Sequence, residues 1–357
     1  MGLLDLLGFS RVPADVRGAT LVVVNAADIE VAKPLLEALR NKLGALALAT
    51  VGQTAVSAAL PCIELPADMD KAARLMSKIK PVRLILLGLG GEYAPLIPAA
   101  AVPAFWINAH DVEAAKGVDV KLLLADPALL NGLPHAVVTG DPLAGLQSLP
   151  AIVQDEDMCV RFKEQHESDR WLGYFAGTGE DEEEEAYPIF NRLIRYKMGL
   201  MLLAPREQER CEPVYREAIK YKLQTIRHRR LSTSFVPVKT RVYFIEDPQP
   251  LEALYRCVHF VVAGGTLHAN ATNQPDIISP ILHGKPVVVG PAHRNTPLVR
   301  SAATARAVLA GHTAEEVFEH ARMLLDNPKH GEDLAKHARA WLEAQVGALQ
   351  RVINAID

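Results

Sequence analysis

A run of six acidic residues, Glu180 to Glu185, follows a Gly-Thr-Gly turn in the middle of the 357-residue chain. A run of this length usually forms a solvated, disordered tail. Here it stands between an apolar strand-like segment and an amphipathic helix-like segment, where Thr178 or Gly179 can serve as the N-cap. Carboxylates in the first helical turn are stabilised by the helix dipole, by roughly 0.3–1 kcal/mol each when exposed. Because the carboxylates repel each other, the helix dipole accounts for only two or three of the six acids. The others form either a solvated face or a site.

Three further places in the second half carry groups that suit an anionic ligand. Arg206 ends an apolar segment, and its guanidinium fork matches the geometry of a phosphate or a carboxylate. Gly264–Gly265 ends another segment, where the backbone can approach a ligand closely. The turn Gly290–Pro297 opens a helix whose free N–H groups attract anions. Plainer interpretations exist, since Arg206 can pair with Glu209 or Glu212 and the glycines can form a simple tight turn.

Glu30 is one of several acids of the first half that could act as a general base. A carboxylate takes a proton from a hydroxyl group when its pKa suits that reaction. The plainer interpretation makes Glu30 an ordinary acid of a first helical turn, with Asp28 as the N-cap. The residues alone leave both interpretations open.

Several common catalytic motifs do not occur in the sequence. The segment Gly88–Ala94, GLGGEYA, lacks the third glycine of a dinucleotide fingerprint, and there is no GxxxxGK[ST], HExxH or GxSxG motif. The histidines are dispersed, which gives no support for a metal site. The four cysteines form no CxxC pair, which predicts reduced, mostly buried thiols in a cytosolic protein rather than a disulfide framework or a zinc site.

The composition is typical of a globular protein, with 49% hydrophobic and 22% charged residues. A net charge of −4 gives no global field toward nucleic acid, so no such partner is expected. The N-terminus lacks the basic region of a signal peptide, and no apolar run reaches about 18 residues. We therefore expect a cytoplasmic protein. Lys220–Arg230 is the best basic candidate for peripheral contact with the inner face of the membrane, although a solvated strand face explains it equally.

Short apolar segments alternate with helix-length amphipathic segments along the whole chain, which is typical of parallel βαβ units. Eleven of the apolar segments are predicted to be strands: ATLVVVNA, ALALATV, VRLILLGLG, PAFWINAH, KLLLAD, HAVVTGD, WLGYFAG, GLMLLAP, RVYFIED, HFVVAGG and KPVVVGP. The pattern breaks at a polar stretch that begins at Ser148 and then restarts. We predict an α/β protein with two Rossmann-like, doubly wound domains facing a cleft. Their expected bounds are 1–160 and 161–340, and a C-terminal helix over 341–357 packs back toward the first domain. Ligands bind such sheets at the carboxyl ends of the strands.

The turns at the strand ends of the second half form an ordered series, FAGTGEDEEEEA, LAPREQERC, IRHRRLS, FIEDPQPLEALY and VVAGGTLHANATNQPDIISPILHGKPVVVGPAHRNTPLV. Their order and spacing resemble the 3-deoxy-D-manno-octulosonic acid (Kdo) transferases. VVNAADIEVAKPLLEALRNKLGALALATVGQT resembles the opening of that family's first domain. The resemblance covers roughly residues 19–340 and implies the glycosyltransferase B (GT-B) fold. It also implies transfer of a CMP-activated sugar acid to a glycan or lipid A-type acceptor, in lipopolysaccharide or surface polysaccharide biosynthesis.

The resemblance implies roles for individual residues. It makes Glu30 the general base and places the acid-rich turn beside the donor site. The other implied residues are Arg206 for the donor phosphate or carboxylate, Gly264, Gly265, Thr266 and Asn295 for the nucleotide, and Glu92, Asp276, Ser279 and His293 as weaker candidates. No metal or other cofactor is implied, because positive side chains and helix N-termini could stabilise the CMP-sugar donor.

Other positions depart from the family pattern. Glu207 replaces a histidine on the phosphate side, Ala292 and Asn25 replace two more, and the family's hydrophobic N-terminal anchor is missing. A carboxylate beside a phosphodiester repels it unless the acid is protonated or paired. Two alternatives therefore stay open. One is a catalytically degenerate relative that binds a nucleotide sugar, a glycan or a protein partner, and the other is a nucleotide-sugar epimerase on the same fold.

Overall fold

The computed structural model describes residues 12–52, 60–109, 111–130, 133, 135–152, 158–231, 234–246, 251–271 and 274–356. The chain divides into two compact units. The first unit comprises Met1–Ser148 and Ala344–Asp357, and the second unit comprises Leu149–Glu343. The division at Ser148 precedes the expected boundary near residue 160, and the C-terminal segment belongs to the first unit.

The described strands are β1 (Thr20–Asn25), β2 (Leu46–Val51), β3 (Cys62–Glu64), β4 (Arg83–Leu87), β5 (Ala104–Ile107), β6 (Lys121–Leu124), β7 (Ala136–Val138), β8 (Trp171–Thr178), β9 (Gly199–Pro205), β10 (Thr225–Arg227), β11 (Val242–Phe244), β12 (Phe260–Ala263), β13 (Val287–Val289) and β14 (Leu309–Ala310). The described α-helices are α1 (Ile29–Leu43), α2 (Met69–Ile79), α3 (Leu96–Ala100), α4 (Lys163–Glu167), α5 (Glu182–Tyr196), α6 (Cys211–Lys220), α7 (Ile278–Leu282), α8 (Pro297–Thr304), α9 (Ala314–Asp326), α10 (Pro328–Gln345) and α11 (Ala348–Ala355).

The first unit is built on a parallel sheet in the order β3-β2-β1-β4-β5-β6-β7. Alternate residues of β1 enter different apolar clusters, with Val23 on one face and Val22 on the other. Burial on both faces explains why the strand reads as a continuous apolar run. The C-terminal segment joins this core, because Val352 packs in the same cluster as Val22 and the Lys121 ammonium donates to the Ala355 carbonyl at 2.6 Å.

The second unit is built on a parallel sheet in the order β10-β11-β9-β8-β12-β13-β14. Its central strand β8 is buried throughout, with Phe175 in one apolar cluster and Tyr174 in another. Gly199 opens β9 because a Cβ there would collide with the Trp171 indole. Strands β9, β8, β12 and β13 are consecutive neighbours, so the turns that follow them lie side by side at the carboxyl edge.

The two helix-flanked parallel sheets confirm the predicted α/β class with two Rossmann-like domains. All eleven predicted strands are present, and the restart of the pattern after the polar stretch at Ser148 matches the division of the chain. The sequence pattern missed β3, β10 and β14, which have only two or three residues each.

The prediction of reduced cysteines is wrong for one pair. Cys159 and Cys257 form a disulfide within the second unit, although they lie 98 residues apart in the sequence. The turns that carry them, Met158–Phe162 and Glu252–Cys257, pack together, which the spacing of the cysteines could not reveal. Cys62 and Cys211 are free thiols. The cysteine argument for a cytosolic location is lost, and that location stays a prediction.

Every helix in the described ranges is too short or too polar to cross a bilayer. The basic segment Lys220–Arg230, predicted as a membrane-contact candidate, is partly neutralised inside the second unit. Arg227 forms ion pairs with Glu246 and with Glu212, the latter at 3.0 Å. The backbone N–H of Arg229 donates to the Glu246 carboxylate at 3.2 Å. The segment therefore presents less positive charge than its sequence indicates.

Candidate functional site

The acidic run begins α5, and Glu182 points into the protein. It is fully buried, and its carboxylate accepts hydrogen bonds from the backbone N–H groups of Gly179 at 2.6 Å, Gly265 at 2.7 Å and Leu267 at 2.6 Å. A buried carboxylate requires such partners, because an isolated charge is very unfavourable away from water. Glu182 thereby ties the turn after β8 to the turn after β12. These strands flank the point where the strand order reverses, which is the usual ligand crevice of such sheets.

Two of the amides that Glu182 engages, those of Gly265 and Leu267, belong to the turn predicted to contact a nucleotide. Gly265 adopts a φ of +79°, and its N–H points at Glu182. Gly264 is required for a close approach, because a Cβ there would collide with the backbone of Gly177. The two glycines thus shape a turn in which the Gly265 N–H is already bonded to Glu182. Their role in nucleotide binding stays a prediction, and it would have to use other atoms of the turn.

Glu183 is the second buried acid of the run. It accepts a hydrogen bond from the Thr178 hydroxyl at 2.6 Å and forms an ion pair with Arg210. Burial raises the pKa of Glu183, while the hydrogen bonds from Thr178 and Arg210 oppose that effect. A second guanidinium N–H of Arg210 donates to the Thr178 carbonyl at 3.3 Å. This cluster fastens the start of α5 to the turn that follows β9.

The other acids of the run face solvent. Glu180, Asp181 and Glu184 are exposed, and Glu185 is half-buried. The predicted N-cap, Thr178 or Gly179, is wrong: the N-cap of α5 is Asp181, which has a φ of +64° and makes no capping bond with its side chain. The run is therefore neither a tail nor a single acidic site, since two members anchor the helix and the rest are solvated.

Arg206 follows β9 directly, next to the turn after β8. Its backbone N–H donates to the Thr178 carbonyl at 2.9 Å, and one terminal N–H of the guanidinium donates to the Gln274 carbonyl. Its Nε is buried and has no partner among the described residues. A buried N–H without an acceptor is unfavourable by about 1–3 kcal/mol, so this geometry favours an additional acceptor at the site.

The plainer interpretation, in which Arg206 pairs with Glu209 or Glu212, is not observed. Glu212 instead lies 3.0 Å from Arg227 and 3.4 Å from Arg216. Within the described ranges, Arg206 forms no ion pair. Its charge therefore has no counterion among the described residues.

Asp276 and Ser279 belong to the start of α7. Asp276 accepts a hydrogen bond from the Ser279 backbone N–H at 3.0 Å and one from the Tyr255 hydroxyl at 3.4 Å. Burial raises the pKa of Tyr255 well above its usual value, Asp276 adds to this effect, and the charge of Arg206 opposes it. Asp276 and Arg206 therefore both affect the pKa of Tyr255, in opposite directions.

The turn Gly290–Pro297 is tied to the turn after β12 through Thr266. The Thr266 side chain is fully buried and accepts the Gly290 N–H at 2.9 Å. His293 is buried with its Nδ1 2.9 Å from the Gly290 carbonyl, and burial lowers the pKa of His293. Asn295 is exposed. Of these three predicted site residues, Asn295 presents its side chain to solvent, while Thr266 and His293 hold the turn.

The predicted site residues of the first unit are exposed. Glu30 lies in the first turn of α1, with its carboxylate 2.5 Å from the Lys33 ammonium. Glu92 lies in the short helical turn Gly91–Tyr93. Asp28 occupies the predicted N-cap position of α1, although its side chain makes no capping hydrogen bond with the helix. The Glu30 carboxylate is accessible to solvent molecules and solutes.

Sequence reasoning missed the inward orientation of Glu182 and Glu183. A helical period would have revealed it, because the residues four positions later, Ala186 and Tyr187, belong to the buried face of α5. In the described part of the chain, no cluster of three or more His, Cys, Asp or Glu side chains could hold a metal ion.

No protein-family model matches the sequence, and no curated protein matches it. Among solved structures, the chain is similar to the C-terminal CMP-Kdo binding domain of WaaA from Acinetobacter baumannii, with 23% identity, a TM-score of 0.46, and coverage of 51% of this chain and 93% of that one. It is similar to MurG from A. baumannii, with 14% identity, a TM-score of 0.44 and coverage of 95% and 99%. It is also similar to UDP-GlcNAc 2-epimerase from Neisseria meningitidis bound to UDP-GlcNAc, with 14% identity, a TM-score of 0.38 and coverage of 95% and 99%. Similarity at these values assigns no function.

Proposed function

We propose that this chain is a GT-B-type glycosyltransferase that moves a sugar acid from a CMP-activated donor to a glycan or lipid A-type acceptor. The observation that carries the proposal is the geometry of Arg206. This residue stands at the carboxyl edge of the second sheet, forms no ion pair within the described ranges, and has a buried N–H without an acceptor. A CMP-sugar acid presents a phosphodiester and a carboxylate, and either would complete the guanidinium's hydrogen bonds.

The remaining roles follow from chemistry. The turn Gly290–Pro297 leads into α8, and the N-terminal amides of a helix favour an anion. Asn295 is an exposed polar side chain of that turn, and its amide donates to the Ala271 carbonyl at 3.3 Å. When the acceptor hydroxyl attacks the anomeric carbon and CMP leaves, the hydroxyl proton needs a base, and the exposed Glu30 is the proposed one.

A non-catalytic relative that binds a nucleotide sugar is the second candidate. Glu182 already engages the Gly265 and Leu267 amides at the usual ligand crevice, and the exposed acid Glu207 follows Arg206 directly. Both features weaken the attraction for a donor phosphate without abolishing it. The experiment must therefore separate binding from turnover.

Calorimetric titration with CMP, using UMP and ADP as controls, tests the donor site. We expect CMP to bind with a Kd of about 1 mM or tighter, which corresponds to roughly −4 kcal/mol. Arg206→Ala should weaken binding at least about tenfold, because it removes the proposed charge partner. Arg195→Ala is the matched control, since Arg195 is an exposed arginine near the C-terminal end of α5.

The outcomes distinguish the candidates. CMP binding that Arg206→Ala abolishes, followed by transfer from a CMP-sugar, supports the glycosyltransferase. The same binding without transfer to any acceptor supports the degenerate relative. Binding of UMP in place of CMP points to another donor or to an epimerase, and the absence of any nucleotide binding contradicts the enzyme proposal.

A further inference from the structure

A pocket lies at the opposite edge of the second unit's sheet, where the strands begin. It is lined by Trp171, the first residue of β8, by Pro286 before β13, and by Pro328, the first residue of α10. Its volume is about 440 Å³, within the range of small-molecule sites. The residues of the proposed donor site follow the carboxyl ends of the strands, so this basal pocket is separate from that site.

The charged lining of the basal pocket is predominantly positive. Its basic side chains are His166, Arg170, Lys197, Arg256, His259 and Lys285. The acids that line it are Asp169 and Glu332. Asp169 lies 3.3 Å from Lys197, and its side chain is 92% exposed. It therefore offsets the charge of Lys197 and of no other base in the pocket. Lys285 and Arg256 form no ion pair in the part of the chain that the structure describes.

His259 is oriented to donate into the pocket. Its Nδ1 accepts the backbone N–H of Leu172 at 3.0 Å, so the proton of the neutral ring lies on Nε2. The ring of His166 lies 5.9 Å from that of His259. The two imidazoles and the Lys285 ammonium thus form a group of donors on one wall.

The bases of this wall destabilise each other's charged forms. Desolvation of the imidazole lowers the pKa of His259 to about 4, and the neighbouring His166 and Lys285 add to that effect. Burial also lowers the pKa of Lys285, with a further contribution from the charge of Arg256. The charges of Lys285 and Arg256 therefore repel each other, and a bound anion would offset part of this repulsion.

The first turn of α10 adds a second attraction for anions. Pro328 and Gly331 of this 18-residue helix line the pocket. Pro328 has no N–H, and the N–H groups of His330 and Gly331 donate to the Asn327 side chain at 3.2 Å and to the Asn327 carbonyl at 3.3 Å, so the helix end contributes the partial positive charge of its dipole. A helix N-terminus and several unpaired cations therefore face the same cavity.

We infer that the basal pocket binds a phosphate group, either free or carried by a small molecule, with Lys285 and Arg256 as charge partners and His259 as a neutral donor. The cavity is larger than a bare phosphate, which leaves room for a phosphorylated metabolite. This inference does not depend on the proposed glycosyl transfer, because none of its residues belongs to the donor site.

Calorimetric titration at about 0.15 M salt, which screens weak surface binding, tests the inference. The probes are inorganic phosphate, inorganic pyrophosphate and glucose 1-phosphate, and the variants are Lys285→Gln and Arg256→Gln. We expect saturable binding that Lys285→Gln weakens at least about tenfold, because it removes the most buried of the charges. Lys336→Gln is the matched control, since Lys336 is 77% exposed on the same helix α10.

The comparison of probes identifies the source of the phosphate. Tighter binding of glucose 1-phosphate supports a phosphorylated small molecule, and tighter binding of inorganic phosphate or pyrophosphate supports a free anion. Absence of saturable binding overturns the inference, as does equal affinity in the wild type, Lys285→Gln and Arg256→Gln. Arg256 is exposed, so its variant decides the question if Lys285→Gln does not fold.

Arg206→Ala separates this site from the proposed donor site. We expect Arg206→Ala to leave phosphate binding unchanged and Lys285→Gln to leave CMP binding unchanged. Loss of phosphate binding in Arg206→Ala would place the anion at the donor site and overturn the basal-pocket inference. Failure of CMP binding alone would overturn the proposed function and leave this site intact.

Discussion

Each unit has a parallel strand, β1 or β8, that is followed by a helix with an acid in its first turn. The two acids have opposite environments. Glu30 of the first unit is exposed beside Lys33. Glu182 of the second unit is fully buried and accepts three backbone N–H groups. Topological position therefore does not decide the role of such an acid. The number of donors that surround it and its access to solvent do.

The contrast extends to the way each unit holds its loops. In the second unit, the buried Glu183–Arg210 ion pair joins the start of α5 to the turn after β9, and the Cys159–Cys257 disulfide joins the turn Met158–Phe162 to the turn Glu252–Cys257. Both units pack apolar clusters on the two faces of their sheets. In the second unit, the buried ion pair and the disulfide add to that packing.

Among the substitutions that test this contrast, Glu182→Ala should lower the free energy of unfolding most. It leaves three buried N–H groups without an acceptor, and we expect the free energy of unfolding to fall by about 3–5 kcal/mol. Urea unfolding followed by circular dichroism measures the change. Glu184→Ala is the control on the same helical turn, because Glu184 is exposed, and its transition midpoint should not move. Equal midpoints for the two variants would contradict the anchoring role of Glu182.

Reduction of the disulfide should have the next largest effect. A bond that closes a loop of about 100 residues typically stabilises a protein by about 2–4 kcal/mol, because it restricts the unfolded chain. We expect a reductant to lower the urea midpoint of the wild type by a corresponding amount. A double variant, Cys159→Ser with Cys257→Ser, should be insensitive to the reductant. Two free thiols at these positions in the purified, air-oxidised protein would refute the pairing.

The pH dependence of the second unit should show a smaller effect at His259. Its pKa is about 4 in the folded protein and about 6.5 in an unfolded chain, so the unfolded state binds the proton more tightly. Stability is therefore lost as the pH falls from about 6.5 toward 4. Because one face of the ring reaches solvent, we expect a loss of about 1 kcal/mol between roughly pH 7 and pH 5.

His259→Asn isolates this contribution, because an asparagine oxygen can still accept the Leu172 N–H. The variant should lose less stability than the wild type over the same pH interval, as measured by urea unfolding at several pH values. Parallel pH curves for the two proteins would show that His259 titrates normally in the folded state.

The central strands of both sheets were predictable, whereas the edges were not. β3, β10 and β14, which the pattern missed, are all edge strands, and β7 is the edge strand that the pattern identified. Central strands are buried on both faces and must be apolar, whereas a short edge strand depends on its single neighbour and tolerates residues such as Glu64 and Arg227. The sequence therefore carries less information where the sheet ends.

The site was predictable as a set of turns but not as a set of contacts. The pattern located the acid-rich turn, Arg206 and the glycine pair at strand ends. The orientation of the acids was missed, although the helical period places Glu182 and Glu183 on the buried face with Ala186 and Tyr187. The disulfide was unpredictable, since only the packed turns bring Cys159 and Cys257 together.

Glu30→Ala should have the smallest effect on stability and completes the comparison with Glu182. Both partners of the Glu30–Lys33 pair are more than half exposed, at 55% and 54%, and pairs of this kind contribute little. We expect no measurable change in the urea midpoint. If Glu30 is the general base, Glu30→Gln should retain CMP affinity and lower the transfer rate by roughly 10²–10⁴-fold, because only the transition state needs the proton acceptor. A large loss of stability in Glu30→Ala would give the two acids the same structural role, and unchanged transfer in Glu30→Gln would remove Glu30 from the reaction.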